Sequence, residues 1–132
     1  MKQGFVENIE KSAADNTDFR RVLYTAPHMQ LVLMSLKPGE DIGEEVHPDT
    51  DQFFRVESGS GEVWMDGVAT AVADGFAIVV PAGVRHNVKN TGKSALKVYT
   101  LYSPPKHAVG TVRATKADAE ANEEHFAGTT PA

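Results

Sequence analysis

Between residues 20 and 102 the chain runs in short stretches of alternating apolar and polar character, at 20–25, 28–36, 43–47, 52–57, 62–66, 68–73, 77–80, 86–90 and 95–102. Gly, Pro, Asn or Asp separates most of them. That spacing predicts an all-β, antiparallel sandwich or barrel. None of the stretches carries a 3.6-residue apolar period, so no helix fits inside the region. Asp66-Gly67 stands between two runs, and because Gly accepts the positive φ of a type I′ turn, 62–66 and 68–73 are expected to pair as a hairpin. The ends differ. Residues 1–18 offer little to bury beyond Phe5, Val6 and Ile9, and predict a short strand followed by a turn of helix, an N-terminal arm over 1–19 leading into a barrel over 20–105. After Pro104-Pro105, Thr115 followed by Asp118 has the form of a capping box. It opens a short helix through Ala117, Ala119 and Ala121, whose small-residue face packs on the barrel or on a second subunit, within a C-terminal segment 106–132 that frays from Gly128.

At 132 residues the chain can bury one core, so one site carries the function. Net charge is −5 with no cluster among its 13 Lys and Arg, which gives none of the electrostatic footprint of a nucleic-acid binder. With no cysteine there is no disulfide, no thiolate nucleophile and no sulfur-bound zinc, so any metal must be held by nitrogen and oxygen. No apolar run reaches the length of a signal peptide core or a membrane span. The expectation is a soluble, cytoplasmic protein with no membrane partner.

Side chains two apart on a strand share a face, so Glu45 and His47 project together while Val46 points away. Gln52 opens the next run and His86 a later one, and a sheet folding back on itself brings all four to one place. Two histidines and a carboxylate form the facial triad of non-haem iron, and the same donors suit manganese, nickel or zinc. Glu45 by itself would belong to a solvated acidic run with Glu40, Asp41 and Glu44, and its register with His47 is what turns it inward. By the same alternation Gln52, Phe54 and Val56 share a face, with Phe54 placed beneath the metal. His28, His107 and His125 read as surface residues, as does Arg85, which adjoins His86 but points to the opposite face.

These residues carry a family resemblance. Gly75, five residues, Pro81-x-Gly83, two residues, His86, three residues and Asn90 are similar at every fixed position to the second motif of the cupins. Gly39, five residues, Glu45-x-His47, Gln52 and Gly59 resemble the first motif, with Glu45 where the family has its first His and Gln52 where it has Glu. The carboxylate has moved rather than vanished. The resemblance implies a jelly-roll-like barrel with a short C-terminal helix, a homodimer built through the sheets and the N-terminal strand, and one divalent ion per chain (Fe, Mn, Ni or Zn) on Glu45, His47, Gln52 and His86. Two functions remain open: a metal-dependent enzyme acting on a small molecule, dioxygenase-like or an isomerase or lyase, and a non-catalytic small-molecule or sugar-binding cupin.

Overall fold

The computed structural model describes residues 4–128. Its elements in chain order are α1 (Ile9–Asp15), β1 (Arg20–Thr25), β2 (Gln30–Leu36), β3 (Asp51–Ser58), β4 (Ser60–Met65), β5 (Val68–Ala73), β6 (Ala77–Val80), β7 (His86–Asn90), β8 (Leu96–Ser103), β9 (Val112–Arg113) and α2 (Lys116–Ala121). The strands form two antiparallel sheets, a six-stranded one ordered β6-β3-β8-β2-β1-β9 and a three-stranded one ordered β5-β4-β7. Apolar residues of the inner faces meet between them: Val32, Met34, Leu36, Phe54, Val56 and Val98 from the large sheet, Val63, Val72 and Val88 from the small one.

Period-two alternation produces this arrangement. In β3 the buried positions are Gln52, Phe54 and Val56, and in β7 they are His86, Val88 and Asn90, so the strands that supply the core also deliver polar side chains to the interior. Phe54 is fully buried in that core rather than in the cavity wall described below. The Asp66-Gly67 turn has φ of 47° and 82°, both positive as a type I′ turn requires, and Met65 pairs with Val68 across it. Thr115 caps α2 by accepting a hydrogen bond from Asp118 N at 3.0 Å, and Ala119 of that helix joins the core.

The structure differs from two expectations and adds one element to a third segment. Among the described residues the N-terminal arm holds no strand. Asn8 accepts from Lys11 N at 3.1 Å and starts α1, which packs across β2, β3 and β8. The 43–47 run is not a full strand; Glu45 makes a single bridge with His86, because Gly43 and Pro48 interrupt extended pairing on either side. The C-terminal segment is more than a tail: β9 adds to the edge of the large sheet beside β1. The expected fraying beyond Gly128 lies outside the described residues.

There is no room for a side chain at Gly61, where β4 pairs with β7. A Cβ on Gly61 would sit 2.5 Å from Lys89 O and 2.9 Å from Leu96 Cδ2. Gly61→Ala is therefore expected to destabilise the fold by about 1–3 kcal/mol through overpacking, read as a lower urea midpoint at unchanged m-value. An unchanged midpoint would show that the two strands separate there at no cost.

Candidate metal centre

The bridge between Glu45 and His86 fixes the site. Each backbone N–H donates to the other's carbonyl at 2.9 Å, so the two side chains emerge as cross-strand neighbours. The Pro81-Ala82-Gly83 turn then ties in the third residue: Gly83, at φ 87°, donates its N–H to His47 O at 2.8 Å. His47 and His86 are buried, with their rings edge-on at 5.3 Å between centroids, while the Glu45 side chain keeps 37% exposure. Donor atoms of Glu45, His47 and His86 all lie within 4.8 Å of one another. Two atoms bound to one ion at about 2.1 Å lie up to about 4.2 Å apart, so a small side-chain adjustment lets all three share an ion.

Hydrogen bonding tests whether these donors suit a metal. His86 Nδ1 lies 3.0 Å from Val84 O. A carbonyl only accepts, so Nδ1 carries the proton and the lone pair is on Nε2, which is buried without a partner. Both ring nitrogens of His47 are also buried without a hydrogen bond; Glu45 Oε2 lies 2.8 Å from its Nε2 but off the line a hydrogen bond needs. Burial pushes the Glu45 carboxyl up, yet His47 foremost, with Arg20 and His86, outweighs it and holds the group below the ordinary carboxylate value. Burial, with the charge of His47, pushes His86 down against the opposing pull of Val84 O and Glu45. The result is an ionised carboxylate beside a neutral His86, the state in which these two groups bind metal.

Gln52 and Gln30 form an instructive pair. Both are buried, and both pair with Tyr102, one from each side of β8. Gln30 is satisfied: its amide donates to Thr25 Oγ1 at 3.0 Å and His107 O at 2.8 Å, and accepts from Lys106 N and His107 N at 3.2 and 2.9 Å. Gln52 donates to Thr100 Oγ1 at 3.0 Å and leaves its Oε1 buried with no partner. A buried amide oxygen without a donor costs about 1–3 kcal/mol, so Gln52 Oε1 has the character of a reserved acceptor. Asn90, the last position of the second motif, is structural: it donates to Leu36 O and Ser94 O at 2.9 and 2.8 Å and accepts from Gly92 N.

His107, expected at the surface, is buried. Gln30 pins the backbone of Lys106 and His107 to the barrel, and the ring packs edge-on to Tyr102 at 5.1 Å, with Nδ1 3.2 Å from Glu124 Oε1. Tyr102 in turn faces His47 at 6.0 Å. No local signal marks His107, because the residue that buries it lies 77 positions earlier. His28 and His125 are exposed as expected, and Arg85 is a surface residue paired with Glu44 at 2.8 Å. The acidic run divides: Glu44 stays outside, Asp41 pairs with Lys116 of α2, and Glu45 turns in. Residues 106–125 together with Phe19, Arg20 and Ile42 wall a cavity of about 330 Å³ that reaches Glu45 and His47.

Burial, then Arg20, Lys106, His47 and His125, pushes His107 down to about 3 from an ordinary 6.5. A histidine whose folded pKa is depressed binds protons better unfolded. Stability of the metal-free protein is therefore full above about pH 6.5 and drains as pH falls towards the folded value, by up to about 1.4 kcal/mol per pH unit. Urea midpoints taken in EDTA from neutral to acidic pH should decline in the wild type and decline less steeply in His107→Gln. Equal slopes would show that His107 does not resist protonation.

The described residues contain no helix long and apolar enough to cross a membrane. The Bacillus subtilis protein YrkC, itself uncharacterised, is 51% identical over 126 residues, which cover 91% of this chain and 68% of YrkC. The polyketide synthase protein CurC of Streptomyces cyaneus is 30% identical over 115 residues, 81% of this chain and 73% of CurC. The crystal structure of BH2720 from Bacillus halodurans superposes with a TM-score of 0.89 at 49% identity, covering 91% of this chain and 96% of that one. The family description of the cupin domain matches residues 32–102, the stretch that holds both motifs and all four candidate donors. Its match agrees with the two-sheet architecture, and the chain belongs to the cupin family.

Proposed function

We propose that the chain is a metal-dependent enzyme acting on a small organic molecule in the barrel, with oxidation by dioxygen as the reading the donor set supports best. The observation that carries it is the convergence of one carboxylate and two imidazoles with buried unpartnered nitrogens, their donor atoms within 4.8 Å of one another, at the edge of a cavity that Glu45 and His47 line. That is the composition of a facial triad. His47, His86 and Glu45 would hold one divalent ion, with Gln52 as a fourth donor through Oε1. When bound, the ion supplies Lewis acidity and, if iron or manganese, one-electron chemistry. The chain's own part is separable from this: Glu45 provides the charge, Val84 orients His86, and residues between 106 and 125 wall one side of the cavity.

CurC's assignment to a polyketide synthase supports an organic substrate rather than a free sugar or a macromolecule. Isomerase or lyase chemistry is the second reading, since a divalent ion on the same three donors would act there as a Lewis acid. A cytoplasmic homodimer, joined through the outer face of the large sheet where Met29 and Val79 are exposed, completes the proposal. Elemental analysis of protein purified without chelator, followed by oxygen-uptake screening against small organic acids and phenols, tests it. One transition metal per chain with substrate-dependent oxygen consumption is the expected result. Metal without oxygen uptake moves the assignment to the isomerase or lyase reading, and a metal-free protein that cannot be loaded overturns both.

A further inference from the structure

Arg20 opens β1 on its inner face, in the alternation that buries Val22 and exposes Arg21. It is only 9% exposed. Its guanidinium lies 5.4 Å from the centre of the Phe19 ring, and both residues line the cavity beside Glu45 and His47. Among the described residues Arg20 makes no ion pair and no side-chain hydrogen bond, and its Nε is buried with no partner. Glu45 is close enough to feel the charge, yet its carboxylate is turned to His47 at 2.8 Å. Only the Nε of this guanidinium is sealed from solvent, but a largely buried arginine with no ion pair is unusual, because structural arginines are normally held by a carboxylate fork.

The rest of the cavity does not supply the missing anion. Glu124 is engaged by Arg113 at 3.2 Å and by the His107 contact, Glu120 is an exposed residue beside Lys116, and Glu123 is exposed and makes no ion pair with Arg20. Lys106 adds a second cation to the wall, with its backbone fixed by Gln30 and by Phe126. Near Arg20 the cavity is thus a half-finished salt bridge facing open space.

We propose that Arg20 binds the oxyanion, carboxylate or phosphate, of the small molecule that enters this cavity, holding it against the Glu45, His47 and His86 cluster. This deepens the reading of the cavity as a substrate site and rests on it. The planar fork of an arginine takes such a group through two parallel hydrogen bonds, which a neutral analogue cannot accept as well. The lining carries Glu45, Glu120, Glu123 and Glu124 against Arg20, Lys106 and Lys116, so a bound divalent ion would turn its net charge positive and favour the anion further in the loaded state.

Calorimetric titration of benzoate and of inorganic phosphate, with benzamide as the neutral control, tests the proposal on EDTA-treated and on Mn(II)-loaded protein. Wild type is expected to bind one of the anions at least about tenfold more tightly than benzamide, and which anion wins tells a carboxylate substrate from a phosphorylated one. Arg20→Met should lose that preference, and Arg20→Lys should keep part of it. The EDTA-treated Arg20→Met should melt no lower than wild type, since an unpaired buried charge has been removed; a structural arginine would give the opposite. Equal affinity of the wild type for benzoate, phosphate and benzamide overturns the proposal, as does an Arg20→Met variant that retains anion binding. Should Arg20→Met not fold, the comparison within the wild type and the Arg20→Lys variant still decide. Failure of Mn(II) to bind sinks the metal reading and leaves the anion test on EDTA-treated protein intact.

Discussion

His86→Ala is expected to take up no divalent metal while keeping the barrel, and His47→Ala to behave alike. His86 offers the most exposed case of an unmet donor: its Nδ1 is committed to Val84 O and its Nε2 points into the site with no protein partner. Removing the ring removes a ligand but no hydrogen bond on which the sheet depends, since the Glu45 bridge runs through backbone atoms. Binding to the native state alone adds RT ln(1 + [L]/Kd), about 2.7 kcal/mol when free metal is a hundredfold above Kd. The wild type should therefore melt several degrees higher with added Mn(II) than in EDTA, and both alanine variants should melt at one temperature in either condition. Equal metal content in wild type and variants would remove these histidines from the ligand set.

A larger contrast is expected between Glu45 and Gln52. Glu45→Gln keeps size and shape but deletes the only negative charge among the donors, and should weaken metal binding by about two orders of magnitude or more. Gln52→Ala should weaken it modestly, since the three-residue cluster stays intact. Gln52→Glu should bind more tightly than wild type, because a second carboxylate replaces a neutral amide oxygen at a position where Oε1 has no other partner. The order of affinities is the measurement, by competition against a chromophoric chelator. A Glu45→Gln protein that binds as well as wild type would mean that the carboxylate only orients His47.

Much of this site was legible along the chain because its determinants are local. A dyad repeat places Glu45 beside His47, Pro81 and Gly83 build the turn that bonds to His47 O, and Asp66-Gly67 needs only its own backbone to set a hairpin. The parts that escaped depend on distant partners. His107 follows two prolines and looks like loop, and only the amide of Gln30 places it inside. Arg20 begins a strand like many surface arginines; nothing near it in sequence says that its side of the sheet is roofed by residues 106–125. The N-terminal arm was misread for a related reason: Phe5 finds its place against the Tyr24 ring at 5.6 Å, a contact that required no strand.

The roof over the cavity has an evolutionary meaning. Every candidate metal donor lies between β2 and β8, where core packing and the two-sheet register constrain each substitution, whereas apart from Ile42 and Val46 the rest of the cavity wall comes from Phe19 and Arg20 on one flank and residues 106–125 on the other. On the proposed function, chemistry and most of the choice of substrate are thus written in separate stretches of the chain. On that reading, drift in the flanks would change what is admitted without disturbing the candidate donors, and exchanging the C-terminal flank between homologues should transplant selectivity while leaving metal affinity unaltered.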